Sequence, residues 1–207
     1  DGTTRLAIVV CDLLGIHTNL SAEARKQIQQ ETGLDPRNVL ISATHTHSAC
    51  SAIGPELDDY QRFVARRVAD GVKRAINTLR PAELAFTTAQ APEHVNNRRW
   101  FLKPGTMPPN PFGGIDRVKM NPPAGSPNLV EPAGPTDPTI SILAVREPAG
   151  RPIAVFAAYS LHYVGGVGPG HISADYYGVF CRTLERLLHA EDQDPAFVAM
   201  LANGTSG

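Results

Sequence analysis

His45 and His47 flank a single threonine at the end of the apolar run Asn38-Val39-Leu40-Ile41-Ser42-Ala43, and small polar side chains follow them. In extended backbone, alternate side chains leave the same face, so an H-x-H pair at a strand end sends two imidazoles toward one point. Neutral imidazole is a common metal ligand, and it can also move a proton near neutral pH. A second strand-end histidine, His162, follows the apolar run from Pro152 to Tyr159 and precedes Gly165-Gly166-Val167-Gly168-Pro169-Gly170. Hydrolytic zinc centres combine about three protein ligands with an open position for water. His45, His47 and His162 are therefore the candidate nitrogen donors. His17, His94, His171 and His189 lack such a setting and read as surface or capping residues.

Two familiar settings for H-x-H do not fit. A metallo-β-lactamase-like site continues as H-x-H-x-D-H, whereas this chain continues as Ser48-Ala49-Cys50-Ser51. An amidohydrolase barrel needs roughly 250 residues and eight strand-helix units, more than 207 residues supply. The three cysteines, Cys11, Cys50 and Cys181, form no C-x-x-C pair, which leaves a cysteine-based zinc knuckle unsupported. An odd count leaves at least one thiol unpaired within the chain, and all three are expected to be buried and inert.

The elements that must position the histidines are legible around them. Thr4 to Leu14 is nearly continuous apolar sequence, the pattern of a strand covered on both faces. Ser21 offers a helix start and Gly33 a stop, giving a helix over 21–32. The strand at 38–43 then completes a β-α-β unit, whose two strands should be parallel. Leu57, Tyr60, Val64, Val68, Val72, Ile76 and Leu79 fall on one stripe. That stripe predicts a helix over 55–79, with Pro55 in its first turn and its apolar face packed in the core. Residues 83–90 read as a strand, and Val95-Asn96-Asn97-Arg98-Arg99-Trp100 as a polar, cationic and aromatic loop. Thr139 to Arg146 and Pro152 to Tyr159 read as a hairpin joined by Glu147-Pro148-Ala149-Gly150-Arg151. Ser173 and Asp175 are expected to cap a helix over 174–189 that buries Val179, Phe180, Leu184, Leu187 and Leu188. Phe197 to Leu201 reads as a last short strand.

Between 101 and 138 periodicity fails, and ten of the eighteen prolines lie there. A structureless stretch of that length is expected to be a lid, a binding loop or an insertion. Lys103, Arg117 and Lys119 within it read as solvated surface charge. The whole reads as one mixed α/β domain spanning 1–207, with a mainly parallel sheet, helices on both faces and a long Pro/Gly-rich loop insertion. With 19 basic and 20 acidic residues there is no charge footprint for nucleic acid or an anionic membrane. No apolar run reaches the length of a membrane-spanning helix. The first residue is Asp1, which fits a removed leader or upstream segment. A secreted or periplasmic location is the expectation, and the oligomeric state is left open.

Taken together, Val10-Cys11-Asp12 with Gly15, Ile41-Ser42-Ala43-Thr44-His45-Thr46-His47-Ser48, Asn97-Arg98, Leu161-His162, Ile172-Ser173-Ala174-Asp175 and Asn203-Gly204-Thr205-Ser206-Gly207 resemble the amino-terminal catalytic domain of neutral/alkaline non-lysosomal ceramidases. The resemblance implies a zinc-dependent hydrolase of N-acyl amide bonds, with ceramide-like lipids as the substrate class. It implies His45 and His162 as zinc ligands, His47 facing the substrate or oxyanion, and Arg98 as a cationic anchor in the pocket. It also implies a glutamate and a tyrosine ligand far downstream and a serine after a Gly-Asp pair, so the 207 residues read as a fragment that would be inactive alone. One departure stands out: Ala49-Cys50-Ser51-Ala52 replaces the Gly-Pro-Gly-type turn of those enzymes. Two other readings stay open, another metal-dependent hydrolase such as a peptidase or esterase, and a non-catalytic relative that binds a lipid or glycan.

Overall fold

The computed structural model describes residues 3–206. In chain order the elements are β1 (Ala7–Cys11), α1 (Thr18–Thr32), β2 (Val39–Ala43), α2 (Asp59–Asn77), β3 (Glu83–Gln90), β4 (Arg99–Leu102), β5 (Lys119–Met120), β6 (Leu129–Pro132), β7 (Thr139–Arg146), β8 (Pro152–Tyr159), α3 (Asp175–Leu187) and β9 (Val198–Asn203).

The expected β-α-β start is present, with β1 and β2 parallel and in register from Ala7 opposite Val39 to Cys11 opposite Ala43. Helix α1 begins earlier than Ser21 suggested, because His17 caps it: its Nδ1 accepts from the Asn19 amide at 3.3 Å. Gly33 closes it in the left-handed region at φ 72°, its amide donating to the Gln29 carbonyl, a conformation that glycine adopts without a Cβ clash. Helix α2 starts at Asp59 rather than Pro55. Asp58 and Gln61 form a capping box there, satisfying two otherwise unpaired amides reciprocally, and that signal outweighs the proline.

Leu20, Ala24 and Ile28 of α1 meet Val64, Val68 and Val72 of α2, and together they cover Ala7, Val9, Cys11, Val39, Ile41 and Ala43. The expected stripe of α2 is the buried one, except that Leu79 lies beyond the helix and is exposed. On the opposite face of this two-stranded sheet Ile8 and Leu40 are exposed, so within the described residues helices cover it from one side.

A second sheet has the order β3-β7-β8-β9. The predicted hairpin is β7-β8, antiparallel, and β9 joins β8 in parallel with Tyr159 opposite Asn203. The mixed α/β class is as expected, but among the described residues two pairings are parallel and four antiparallel, so the parallel share is smaller than the sequence suggested. Strand β9 extends past the expected end at Leu201 to Asn203, which sets the Asn203-Gly204-Thr205 segment beside the end of β8.

Helix α3 is placed as expected, but only Phe180 and Leu184 of its expected inner face pack inward. Tyr177 is buried and Tyr176 and Phe180 pack with it on Ala157, Tyr159 and Leu201, while Leu184 packs near Val155 and Phe197. Val179, Leu187 and Leu188 are exposed. The inward stripe runs by four-residue steps from Tyr176 and Tyr177, which the leucines and valine had masked.

The stretch 101–138 is not structureless. It contributes β5 and β6 to a three-stranded antiparallel sheet with β4 at its centre. Strands of two to four residues are too short to show a period. Trp100 sits in this sheet, opposite Lys119 on one side and Pro132 on the other, rather than in a loop.

Cys11, Cys50 and Cys181 are all free. Burial pushes the Cys11 thiol up to about 11 and raises that of Cys181, whose S–H donates to the Ala199 carbonyl at 3.2 Å. Cys50 departs from expectation: it is exposed, on the irregular segment between the histidine motif and α2.

Candidate metal centre

The parallel ladder outlasts strand β2 by two bonds, with the Thr44 amide donating to the Cys11 carbonyl at 2.9 Å and the His45 amide to the Leu13 carbonyl at 3.0 Å. His45 then turns into the left-handed region, φ 66°. This overturns strand alternation as the reason the two histidines converge. The turn carries the His45 ring back toward the end of β1, where Nδ1 lies 2.7 Å from the Leu14 carbonyl oxygen. A carbonyl only accepts, so the Nδ1 proton points at Leu14, and the free lone pair is on Nε2. His47 comes to the same point from the next turn, its Nε2 3.2 Å from His45 Nε2.

His162 completes the group. It follows β8 by three residues, and its ring centroid lies 4.8 Å from that of His45 and 5.7 Å from that of His47. One ligand atom from each of the three falls within 4.8 Å of the others. The basicity of His47 and His162 is lowered. Desolvation lowers the His47 pKa first, with the charge of His45 adding to it. Desolvation is also the main cause at His162, followed by His45, Arg98 and His47. Rings that favour the neutral state present lone pairs, which is the form a metal ion requires. Tetrahedral ligands about 2.0–2.1 Å from zinc stand roughly 3.3 Å apart, close to the 3.2 Å between His45 and His47.

Arg98 enters from the segment before β4. Its carbonyl accepts from the Asn121 amide at 2.8 Å, and its guanidinium acts on His162, while its buried Nε has no hydrogen-bond partner among the described residues. The three histidine candidates thus gather in one place, and the charge of the fourth candidate, Arg98, reaches His162. Of the histidines set aside, His17 caps α1 as expected, while His94 and His171 are exposed.

Sequence reasoning missed Tyr163, Thr46 and the role of Asp175. The Tyr163 ring stacks on His47 at a centroid distance of 3.8 Å and an interplanar angle of 11°. Thr46 is fully buried, its hydroxyl donating to the Ser173 carbonyl at 2.8 Å. Ser173 and Asp175 serve the start of α3 as expected, Ser173 Oγ accepting from the Asp175 amide at 3.0 Å and Asp175 Oδ1 from the Tyr176 amide at 2.7 Å, while the N-cap residue itself, Ala174, makes no side-chain bond. Adjacency to His162 was the available signal for Tyr163; nothing local marked the other two.

Comparison with known proteins sets this geometry in a known fold. No family model matches the chain, and no curated protein does. Among solved structures, the neutral ceramidase from Pseudomonas aeruginosa is similar with a TM-score of 0.64 and 18% identity, over 95% of this chain and 30% of that one. A ceramidase complexed with C2 is similar with a TM-score of 0.60 and 19% identity, over 95% of this chain and 29% of that one. The fold is therefore that of the corresponding part of the neutral ceramidases, and the chain spans less than a third of their length.

Proposed function

We propose that these residues are the amino-terminal catalytic domain of a zinc-dependent hydrolase of N-acyl amide bonds, with ceramide-like lipids as the substrate class. The observation that carries the reading is the convergence of His45, His47 and His162, from two distant strand ends, to within 4.8 Å. The donor set fits zinc, which accepts imidazole nitrogen readily and keeps an open position when hydrolytic. The ceramidase fold supports amide hydrolysis and a lipid substrate.

In this reading His45 and His162 hold the metal through ring nitrogens. When bound, zinc supplies Lewis acidity toward the amide carbonyl and a water that ionises near pH ~7. The remaining work belongs to the chain. Leu14 holds the His45 proton on Nδ1 and so keeps Nε2 free. His47, stacked on Tyr163, donates a hydrogen bond to the oxygen that gains charge in the transition state. Arg98, whose charge reaches His162, anchors the polar end of the substrate. A second reading is favoured by the 3.2 Å between His45 and His47: all three histidines bind the metal, and the substrate meets Arg98 alone.

The test is turnover of a panel of ceramides, acyl-amino acids and esters by the full-length protein, with and without chelator, beside metal analysis of the purified enzyme. Stoichiometric zinc, with chelator-sensitive cleavage of ceramides, is expected. The isolated 207 residues, which hold only part of the shell that the resemblance implies, are expected to be inactive. Ester or peptide cleavage without amidase activity would select another hydrolase class, and a full-length protein without bound metal would sink the metal reading. His47→Gln separates the two site readings, since it lowers metal affinity only if His47 is a ligand.

A further inference from the structure

Asp175 opens helix α3 in the left-handed region, φ 54°. Its backbone amide donates to Ser173 Oγ at 3.0 Å, which fixes the start of the turn. Its carboxylate reaches back across the glycine-rich loop: Oδ1 accepts from the Val164 amide at 3.0 Å and Oδ2 from the Gly165 amide at 2.8 Å. Each oxygen thus holds one of the two residues that follow Tyr163, and Oδ1 also accepts from the Tyr176 amide at 2.7 Å. Gly165 in turn lies against the Tyr163 ring, where an added Cβ would sit 3.2 Å from Cε2. The same ring stacks on His47.

The same short segment is tied to the first histidine motif. Thr46, between His45 and His47, donates to the Ser173 carbonyl, and the Ser173 amide donates to the Ser48 carbonyl at 2.8 Å. Ser173 and Asp175 thus grip the His45-Thr46-His47-Ser48 turn on one side and the His162-Tyr163-Val164-Gly165 turn on the other. Those two turns share no strand pairing: β2 belongs to one sheet and β8 to another.

We propose that Asp175 is a positioning residue for the histidine cluster: by clamping the Val164 and Gly165 amides it sets the direction of His162 and seats Tyr163 against His47. The inference rests on the reading of the cluster as a metal centre, and it adds the device that holds two separate turns in one geometry. A carboxylate is required because two amides must be accepted by two oxygens at once. Asparagine tolerates a left-handed backbone as well as aspartate does but offers one acceptor oxygen.

The test uses the full-length protein carrying Asp175→Asn, with cobalt(II) as the metal probe and ring-labelled histidine for nuclear magnetic resonance. Asp175→Asn is expected to weaken cobalt affinity by about 10–100-fold, the usual loss when a group that orients ligands is removed. It is also expected to remove the upfield ring-current shift of the His47 ring protons, assigned by His47→Gln. Tyr163→Phe should keep that shift, and Tyr163→Leu should lose it. Should Asp175→Asn fold poorly, Thr46→Val, which cuts the tie to Ser173 without touching α3, is expected to show the same two losses more weakly. Wild-type cobalt affinity together with a retained ring-current shift in Asp175→Asn would overturn the inference. If the wild-type protein binds no cobalt, the metal reading fails by itself, and the ring-current comparison still decides whether Asp175 seats the stack.

Discussion

His45 Nδ1 lies 2.7 Å from the carbonyl oxygen of Leu14, and that contact is available only because the His45 backbone is left-handed. A left-handed conformation costs a residue with a Cβ roughly 1–2 kcal/mol. Strain of this kind persists where the surroundings over-determine it, here through the ring contact to Leu14 and the amide bond to Leu13.

Two substitutions separate the strain from the chemistry. His45→Ala removes the imidazole and keeps the strain, whereas His45→Gly removes both. Metal titration should show that each loses tight zinc binding, while the glycine variant is the more stable of the two by about 1 kcal/mol in denaturant unfolding. Retained stoichiometric zinc in either variant would sink the assignment of His45 as a ligand.

The thiols differ in a way that alkylation reads directly. The Cys11 thiol, pushed up to about 11 by burial with the Asp12 charge beside it, ionises only as pH rises toward that value. At pH 8 its thiolate fraction is therefore roughly one in a thousand. Iodoacetamide on the native protein, followed by peptide mapping, is expected to label the exposed Cys50 first and Cys11 last. As pH is raised from 8 to 10 the Cys11 rate should climb about tenfold per unit. Equal rates at pH 8 would show that β1 is open to solvent.

What the sequence displays and what it hides follow from the range of the forces involved. Alternating or continuous apolar runs mark β1, β2, β7 and β8, because burial acts on each residue in turn. The histidines could therefore be placed at strand ends, and His45, His47 and His162 do meet. The reason given for the H-x-H convergence fails, since His45 leaves the extended region and no local residue announces that turn. Trp100 and its neighbours lie in a sheet whose partners are two to four residues long and arrive from well down the chain. Ser173 and Asp175 carry a genuine capping composition and do accept from the Asp175 and Tyr176 amides, yet they also bond Ser48, Val164 and Gly165. The donors beyond the helix are taken in addition to the helix end, and composition alone holds no record of that second role.

The start of α2 offers a stability prediction free of the site. Gln61 is fully buried; its Nε2–H donates to the Gly54 carbonyl at 3.0 Å and its Oε1 accepts from the Asp58 amide at 3.0 Å. Asp58 returns the favour, accepting from the Gln61 amide at 2.7 Å. Asp58→Ala should lower stability by about 1 kcal/mol, the usual loss of an N-cap. Gln61→Leu strands a carbonyl and an amide, so it should lower stability more, by about 2 kcal/mol. Urea unfolding gives the order, and a milder effect for Gln61→Leu would mean that water replaces its bonds.

Gly204 links the fold to the site. Its amide donates to the Tyr159 carbonyl at 2.8 Å, and a Cβ there would lie 2.8 Å from Ser160 Oγ and 3.1 Å from the Tyr159 carbonyl carbon. Ser160 Oγ also bonds Thr205, and His162 is two residues further on. Gly204→Ala must therefore push the end of β8 away from β9, moving the segment that carries His162. Gly150, at φ 94° in the β7-β8 turn with open space around it, supplies the contrast. Gly150→Ala meets backbone strain and Gly204→Ala meets overpacking, each destabilising by about 1 kcal/mol or more. Both variants should melt below the wild type, but cobalt affinity should fall only in Gly204→Ala. An equal fall in both would mean that general loosening, rather than the position of the β8 end, governs the centre.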